Sequence, residues 1–379
     1  MSAVAFHNGR LALGDQLLAG QTLLISGGKI EAIGPDLAIP PGYERYDLKG
    51  DVLAPGFFDI QVNGGGGALF NDAPTAETIA TIAKAHVKFG MTSLLPTLIS
   101  DDLDKVAQAI AAVDAAIEAG VPGILGIHLE GPFLNASRKG VHDASKFKVL
   151  DQDAIGLMTS LKRGKTLITL APETAPQGAI AELVRRGAVV FAGHTEASYE
   201  QILAAEAEGL RGFTHIFNAM SQLSSRAPGV VGAALSSATS FSGLIADGVH
   251  VHPANMALVA RLLGPKRTIL VSDAMPTLGS DQDWFELKGE KIIARGLTCY
   301  TPDGVLAGSN LSVHDAIGVM MREVGSGLAE VLQMASHAPA LAMGLQDRLG
   351  RLAVGAQADF VQVDGEAKLV AVWQNGRQL

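Results

Sequence analysis

Glu130, His194 and His215 supply one carboxylate and two imidazoles from three separate stretches of chain. That set suits a zinc-like ion with a coordination position left open for water, as in catalytic rather than structural sites. Each residue ends or closely follows an apolar run: His128-Leu129-Glu130, Gly193-His194-Thr195 and Thr214-His215. Asp273 stands in the same kind of place, in Ser272-Asp273-Ala274. Singly, each has a plainer reading. A histidine at a strand end is commonly a hydrogen-bonded group, and Ser272 or Asp273 could cap a helix. Three such residues on separate strands, with Asp273 closing another, favour a metal site.

Positioning them requires a repeating scaffold. Eight apolar runs read as strands: 57–62, 92–99, 124–129, 166–170, 189–192, 212–217, 241–246 and 268–271. Between them lie helical patterns such as 76–89, 103–119, 179–186, 199–208 and 253–263. Eight strand–helix alternations predict an α/β fold of the (β/α)8 TIM-barrel type. Barrel chemistry sits at the C-terminal ends of the strands, and six of the eight run ends carry His, Glu, Asp or amide groups. Such groups are costly to bury unless they bind something. Runs two and four end less informatively. Gly64-Gly65-Gly66-Gly67 follows the first run but lacks the register of a dinucleotide loop.

Both chain ends read as short strands and turns, with hairpin signals at Asn8-Gly9, Gly27-Gly28 and Asn375-Gly376. The expected organisation is a small β-sandwich domain from residues 1–53 together with 350–379, and a barrel over 54–349. The chain has 379 residues, a formal charge of −9, 48% hydrophobic and 18% charged residues. That composition supports a large buried core and speaks against disorder and against nucleic acid as a partner. No stretch reads as a membrane span or export signal, so a soluble cytoplasmic protein is expected. The single cysteine, Cys299, excludes an internal disulfide framework and is read as a small core filler. His7, His86, His314 and His337 are read as structural, His128 as a supporting group behind the site, and His252 is ambiguous.

Several motifs together are specific. Ala54-Pro55-Gly56-Phe57-Phe58-Asp59 follows the β-rich N-terminus, and Gly355-Ala356-Gln357-Ala358-Asp359-Phe360-Val361 lies near the C-terminus. Between them are Asp59-Ile60-Gln61-Val62-Asn63-Gly64, His128-Leu129-Glu130-Gly131-Pro132-Phe133 and Thr214-His215-Ile216-Phe217-Asn218-Ala219-Met220. Ala192-Gly193-His194-Thr195, Ile245-Ala246-Asp247-Gly248-Val249-His250, Val271-Ser272-Asp273-Ala274 and Leu306-Ala307-Gly308-Ser309 complete the set. With these pieces the chain resembles the amidohydrolase superfamily, in particular its members acting on acetylated amino-sugar phosphates.

The resemblance implies removal of the acetyl group from N-acetyl-D-glucosamine 6-phosphate, giving D-glucosamine 6-phosphate and acetate. The galactosamine isomer, another amidohydrolase reaction and a catalytically dead scaffold are the alternatives. One divalent cation per subunit is implied, held by Glu130, His194 and His215, with zinc ahead of iron, cobalt or manganese. Such an ion lowers the pKa of water and acts as a Lewis acid. Gln61 and Asn63 stand where many relatives carry His-x-His, so a second metal is not expected. Asp273 is the implied general base and acid, and His142 the implied donor to the acetyl carbonyl. Val141, Asn218, Ala219, Arg226, His250, Leu306, Ala307 and Gly308 are implied substrate contacts, with Arg226 suited to bidentate phosphate binding. A homodimer is implied, because the phosphate site of such enzymes is completed across a subunit interface. Without the resemblance, His142 and Arg226 would read as ordinary loop residues.

Overall fold

The computed structural model describes residues 3–35 and 37–379. Its centre is an eight-stranded parallel sheet whose strands pair in chain order. The strands are β1 (Phe57–Val62), β2 (Met91–Ile99), β3 (Gly126–Glu130), β4 (Lys165–Leu170), β5 (Val189–Ala192), β6 (Gly212–Phe213), β7 (Phe241–Leu244) and β8 (Thr268–Leu270). An α-helix follows each of the first seven before the next barrel strand, for example α1 (Ala76–Val87) after β1 and a short hairpin. The barrel closes between β8 and β1 just beyond the regular ladder. Asp273 N–H donates to Gln61 O (3.0 Å), Asn63 N–H to Ala274 O (3.0 Å), and Ser272 N–H to the Asp59 carboxylate (3.1 Å). The expected (β/α)8 class is therefore what the chain forms.

The strands form for the reason their runs suggested. Every residue of β1 and β2 is buried, as strands covered on both faces require. The helices present apolar stripes inward; in the segment Leu103–Glu118, Val106, Ala109, Ile110, Val113 and Ala116 recur at helical spacing and are buried. The N-terminus of α1 is held by Thr75, whose hydroxyl accepts from Thr78 N–H. Strand β6 is far shorter than its run, because the backbone turns to positive φ at His215 (32°) and Phe217 (77°).

The termini form two further sheets. Strand Phe360–Val363 pairs antiparallel with Val52–Pro55, so the two ends of the chain share one six-stranded sheet. A four-stranded sheet lies beside it. Phe6, Leu23, Phe360 and Trp373 pack in a core of their own. One element has no counterpart in the sequence reading. Between β8 and the next helix the chain inserts an antiparallel sheet of four strands running from Trp284 to Ser309. Phe285, Ile292, Cys299 and Ala307 pack there against Ile99 and Met275, over the C-terminal mouth of the barrel. Cys299 is fully buried in that cluster. No helix among the described residues is long and apolar enough to cross a membrane.

Candidate active site

Glu130 ends β3, His194 lies two residues beyond β5, and His215 two beyond β6. Their ligand atoms meet at the barrel mouth. His194 Nε2 is 3.2 Å and His215 Nε2 3.0 Å from Glu130 Oε1, and the two imidazole nitrogens are 3.0 Å apart. His194 Nδ1–H donates to Arg138 O (2.8 Å), which leaves its lone pair on Nε2. Two imidazole nitrogens and a carboxylate oxygen thus face one point. His215 Nδ1 is buried with no partner. The donor set fits a divalent cation, since ligands bound at about 2.0–2.1 Å in tetrahedral geometry lie roughly 3.3 Å apart. Among the described residues, this trio is the cluster able to hold a metal ion.

Three of the side chains at this mouth stand on unusual backbone. His194, His215 and Asp273 have φ of 50°, 32° and 52°. Non-glycine residues rarely adopt that region, and where they do the surrounding structure imposes it. Here the strands end by kinking.

Asp273 sits across the cavity. Its Oδ1 accepts from Asn63 Nδ2 (2.7 Å) and Gln61 Nε2 (3.2 Å). The same Gln61 amide donates to both oxygens of Glu130 at 3.3 Å. Gln61 and Asn63 therefore turn their NH2 groups, not their oxygens, toward the two carboxylates. Burial raises the Asp273 carboxyl to about 6, with the Glu130 charge adding to the effect. Burial would raise Glu130 too, but the hydrogen bonds and charges of His194 and His215 outweigh it and hold Glu130 well below the usual carboxylate range. His215 is raised in turn, because its contact with Glu130 overcomes desolvation.

A cavity of about 160 Å³ opens above these groups. His142, Val141, Asn218, Ala219 and His250 line it, as do Leu306 and Gly308 from the inserted sheet. His142 is buried, its ring centroid 4.3 Å from that of His194. Desolvation, helped by the neighbouring His194, keeps His142 well below the ordinary histidine range, and hence neutral near pH 7. Two expected contacts do not reach the cavity in the single chain. Arg226 is exposed on the loop after His215, outside the cavity wall. The Ala307 side chain is fully buried in the inserted sheet's core, because strand alternation turns it away while its neighbours face inward.

Other expected placements resolve cleanly. His128 lies in a polar layer beneath the site, between Thr97 Oγ1 (3.2 Å) and Thr169 Oγ1 (2.8 Å). His252 caps a helix, its Nδ1 accepting from Ala254 N–H. Sequence reasoning missed four residues. Ser100 follows β2 and contacts His142 Nδ1. The Asp59 carboxylate joins β1 to β8, accepting from Gln61 and Ser272 N–H groups, and burial raises it to about 7. The Asp247 carboxylate holds His250 Nδ1 at 2.5 Å. Lys288, at a hairpin turn of the inserted sheet, donates to Val141 O (2.5 Å) and so ties that sheet to the His142 loop. Asp59 and Asp247 lie inside the recognised motifs, so their signal was present without a role attached. Nothing marked Ser100 or Lys288.

A (β/α)8 barrel with a Glu-His-His cluster and an opposing carboxylate at its C-terminal mouth has the construction of a metal-dependent hydrolase. The chain belongs to the amidohydrolase family, whose profile matches residues 52–378. It is 42% identical over 335 residues to the N-acetylgalactosamine-6-phosphate deacetylase of Shewanella sp. (strain ANA-3), covering 88% of this chain and 85% of that one. The crystal structure of N-acetylglucosamine-6-phosphate deacetylase from Pasteurella multocida superposes with a TM-score of 0.94 at 32% identity, over 100% and 99% of the two chains. An alanine variant of the Mycobacterium smegmatis N-acetyl-D-glucosamine-6-phosphate deacetylase, solved with N-acetyl-D-glucosamine-6-phosphate, gives 0.90 at 29% identity, again over 100% and 99%.

Proposed function

We propose that this protein hydrolyses the acetamide of N-acetyl-D-glucosamine 6-phosphate, releasing acetate and D-glucosamine 6-phosphate. The observation that carries this reading is the convergence of Glu130, His194 and His215 opposite Asp273 and His142 in one cavity. The three convergent residues would hold a single divalent cation, zinc ahead of iron, cobalt or manganese. When bound, that cation supplies Lewis acidity for water and for the acetyl carbonyl.

The chain's own residues do the rest. Asp273 Oδ1 is engaged by two amide groups, so Oδ2 is the atom free to take a proton from the attacking water. As the C–O bond forms and the C–N bond breaks, the same carboxyl returns that proton to the sugar nitrogen. His142 donates to the acetyl oxygen as negative charge accumulates there. His250, held by Asp247, and the Asn218-Ala219 segment bind the sugar phosphate. Arg226, exposed outside the cavity of its own chain, serves the phosphate in a neighbouring copy, so the active form is a homodimer.

The galactosamine epimer is a second reading, supported by the 42% identity with the Shewanella protein. Acetate release by zinc-reconstituted protein tests both, with N-acetylglucosamine 6-phosphate, N-acetylgalactosamine 6-phosphate and unphosphorylated N-acetylglucosamine as substrates. Preference for one phosphate decides the epimer. Equal, weak turnover of the glucosamine pair removes the phosphate assignment. No turnover of any of them refutes the proposal.

A further inference from the structure

Ser100 is the first residue beyond β2 and is buried. It sets two donors against one atom of His142. Its backbone N–H lies 3.3 Å and its Oγ 2.8 Å from Nδ1. A backbone N–H can only donate, so Nδ1 carries the lone pair and not a proton. The hydroxyl has another acceptor in reach, Glu130 O at 3.4 Å. The shorter contact takes its proton, because the opposite rotation would press an oxygen lone pair against that of Nδ1. The hydroxyl is also held from behind: a Cβ at Gly131 would fall 2.2 Å from Oγ, so only glycine beside Glu130 leaves room for it. With Nδ1 tied back, the neutral ring keeps its one proton on Nε2, at the edge facing the cavity that His142 lines.

We propose that Ser100 is a positioning residue that fixes His142 as the Nε2–H tautomer, so that the ring meets the acetyl oxygen as a hydrogen-bond donor. This rests on the deacetylation reading. The other tautomer would turn a lone pair toward an oxygen that gains negative charge in the transition state, and would oppose the reaction. The adjacent ring shows the contrary arrangement. His194 donates from Nδ1 to Arg138 O and keeps its lone pair on Nε2, toward Glu130. Two rings in contact are thus set in opposite tautomers by their separate partners, one to give a proton bond and one to give a lone pair.

Two measurements test this. In protein labelled with 15N-histidine, long-range proton–nitrogen correlation reads which ring nitrogen of His142 is protonated, with the signal assigned by its loss in His142→Gln. Nε2–H is expected, and Nδ1–H in the unmutated protein overturns the proposal whatever the activity. The second is a kinetic cycle of Ser100→Ala, His142→Leu and the double variant in the zinc-loaded enzyme. Removing a whole oxyanion donor costs about 10²–10³ in kcat, so His142→Leu, which has no donor, should lose that much. Ser100→Ala keeps the backbone N–H and should lose about tenfold in kcat with little change in KM, while Ser100→Thr, retaining the hydroxyl, recovers most of it. In the His142→Leu background Ser100→Ala should cost nothing further. An equal loss in both backgrounds overturns the proposal alone. A His142→Leu enzyme with undiminished kcat removes the role assigned to His142, and the proposal with it.

Discussion

Replacing Asp273 with asparagine should make the protein more stable and nearly inactive. The side-chain shape is kept, and an amide oxygen in the Oδ1 position still accepts from Asn63 and Gln61. Only the charge and the proton-accepting atom are lost. Burial moves this carboxyl from 3.8 to about 6 in the metal-free protein. At 1.36 kcal/mol per pH unit, ionising it inside the fold costs about 3 kcal/mol. The sign follows from the direction. A raised acid contributes its full stability below the unfolded value of 3.8 and loses it as pH rises through about 6. At pH 8 the asparagine variant escapes the whole cost, and at pH 5 about half of it. Unfolding entropy of ~2.1 cal/mol/K per residue over 379 residues makes 3 kcal/mol worth about 4 °C in Tm. The assay is thermal unfolding of both metal-free proteins at pH 5 and pH 8, beside kcat of the zinc-loaded forms. A gain near 4 °C at pH 8, roughly halved at pH 5, should accompany a fall in kcat of about 10²–10⁴. A variant no more stable than the parent at pH 8 would refute the burial argument. Turnover within a few-fold of the parent would refute the proton-transfer role.

Glu130→Gln should lower affinity for the divalent ion by more than about a hundredfold, because even hydrogen-bond partners of metal ligands are worth 10–100-fold; metal content after dialysis against a competing chelator measures it, and full retention of the ion contradicts the assignment. Asp247→Asn should free the His250 ring from its 2.5 Å contact and raise KM for the phosphorylated sugar by roughly tenfold, the worth of one charged hydrogen bond, with metal content unchanged. A change in metal content without a change in KM would place His250 elsewhere.

The barrel was legible because its strands are apolar runs of the right length, and β1 and β5 match their runs residue for residue. The run over 212–217 was misjudged because apolar character does not reveal where φ changes sign, and the strand stops at Phe213. The inserted sheet was missed for a different reason. Its strands alternate buried and exposed residues, as Trp284–Leu287 does, and their signal was absorbed into a domain already read as barrel. The site's ionisable residues were visible from type and position. Ser100 was not, since a serine after an apolar run is ordinary and its meaning comes from a loop forty-two residues away. Arg226 shows the reverse limit: its motif was recognisable, yet in one chain its side chain stands apart from the cavity.

The amides at Gln61 and Asn63 explain how this mouth could hold two buried carboxylates with the one cation proposed for it. Glu130 and Asp273 together carry two negative charges when ionised, which a single divalent ion balances. The charge count leaves their remaining lone pairs unsatisfied, and unpaired acceptors in a buried site are costly. A second cation would supply the missing contacts, but the Gln61 NH2 group already reaches Glu130, and it and the Asn63 NH2 group both reach Asp273 Oδ1. Imidazoles at these positions would offer a metal a lone pair; the amides offer protons to oxygen instead. The amides therefore supply the donors that keep Asp273 Oδ1 fixed and leave Oδ2 free.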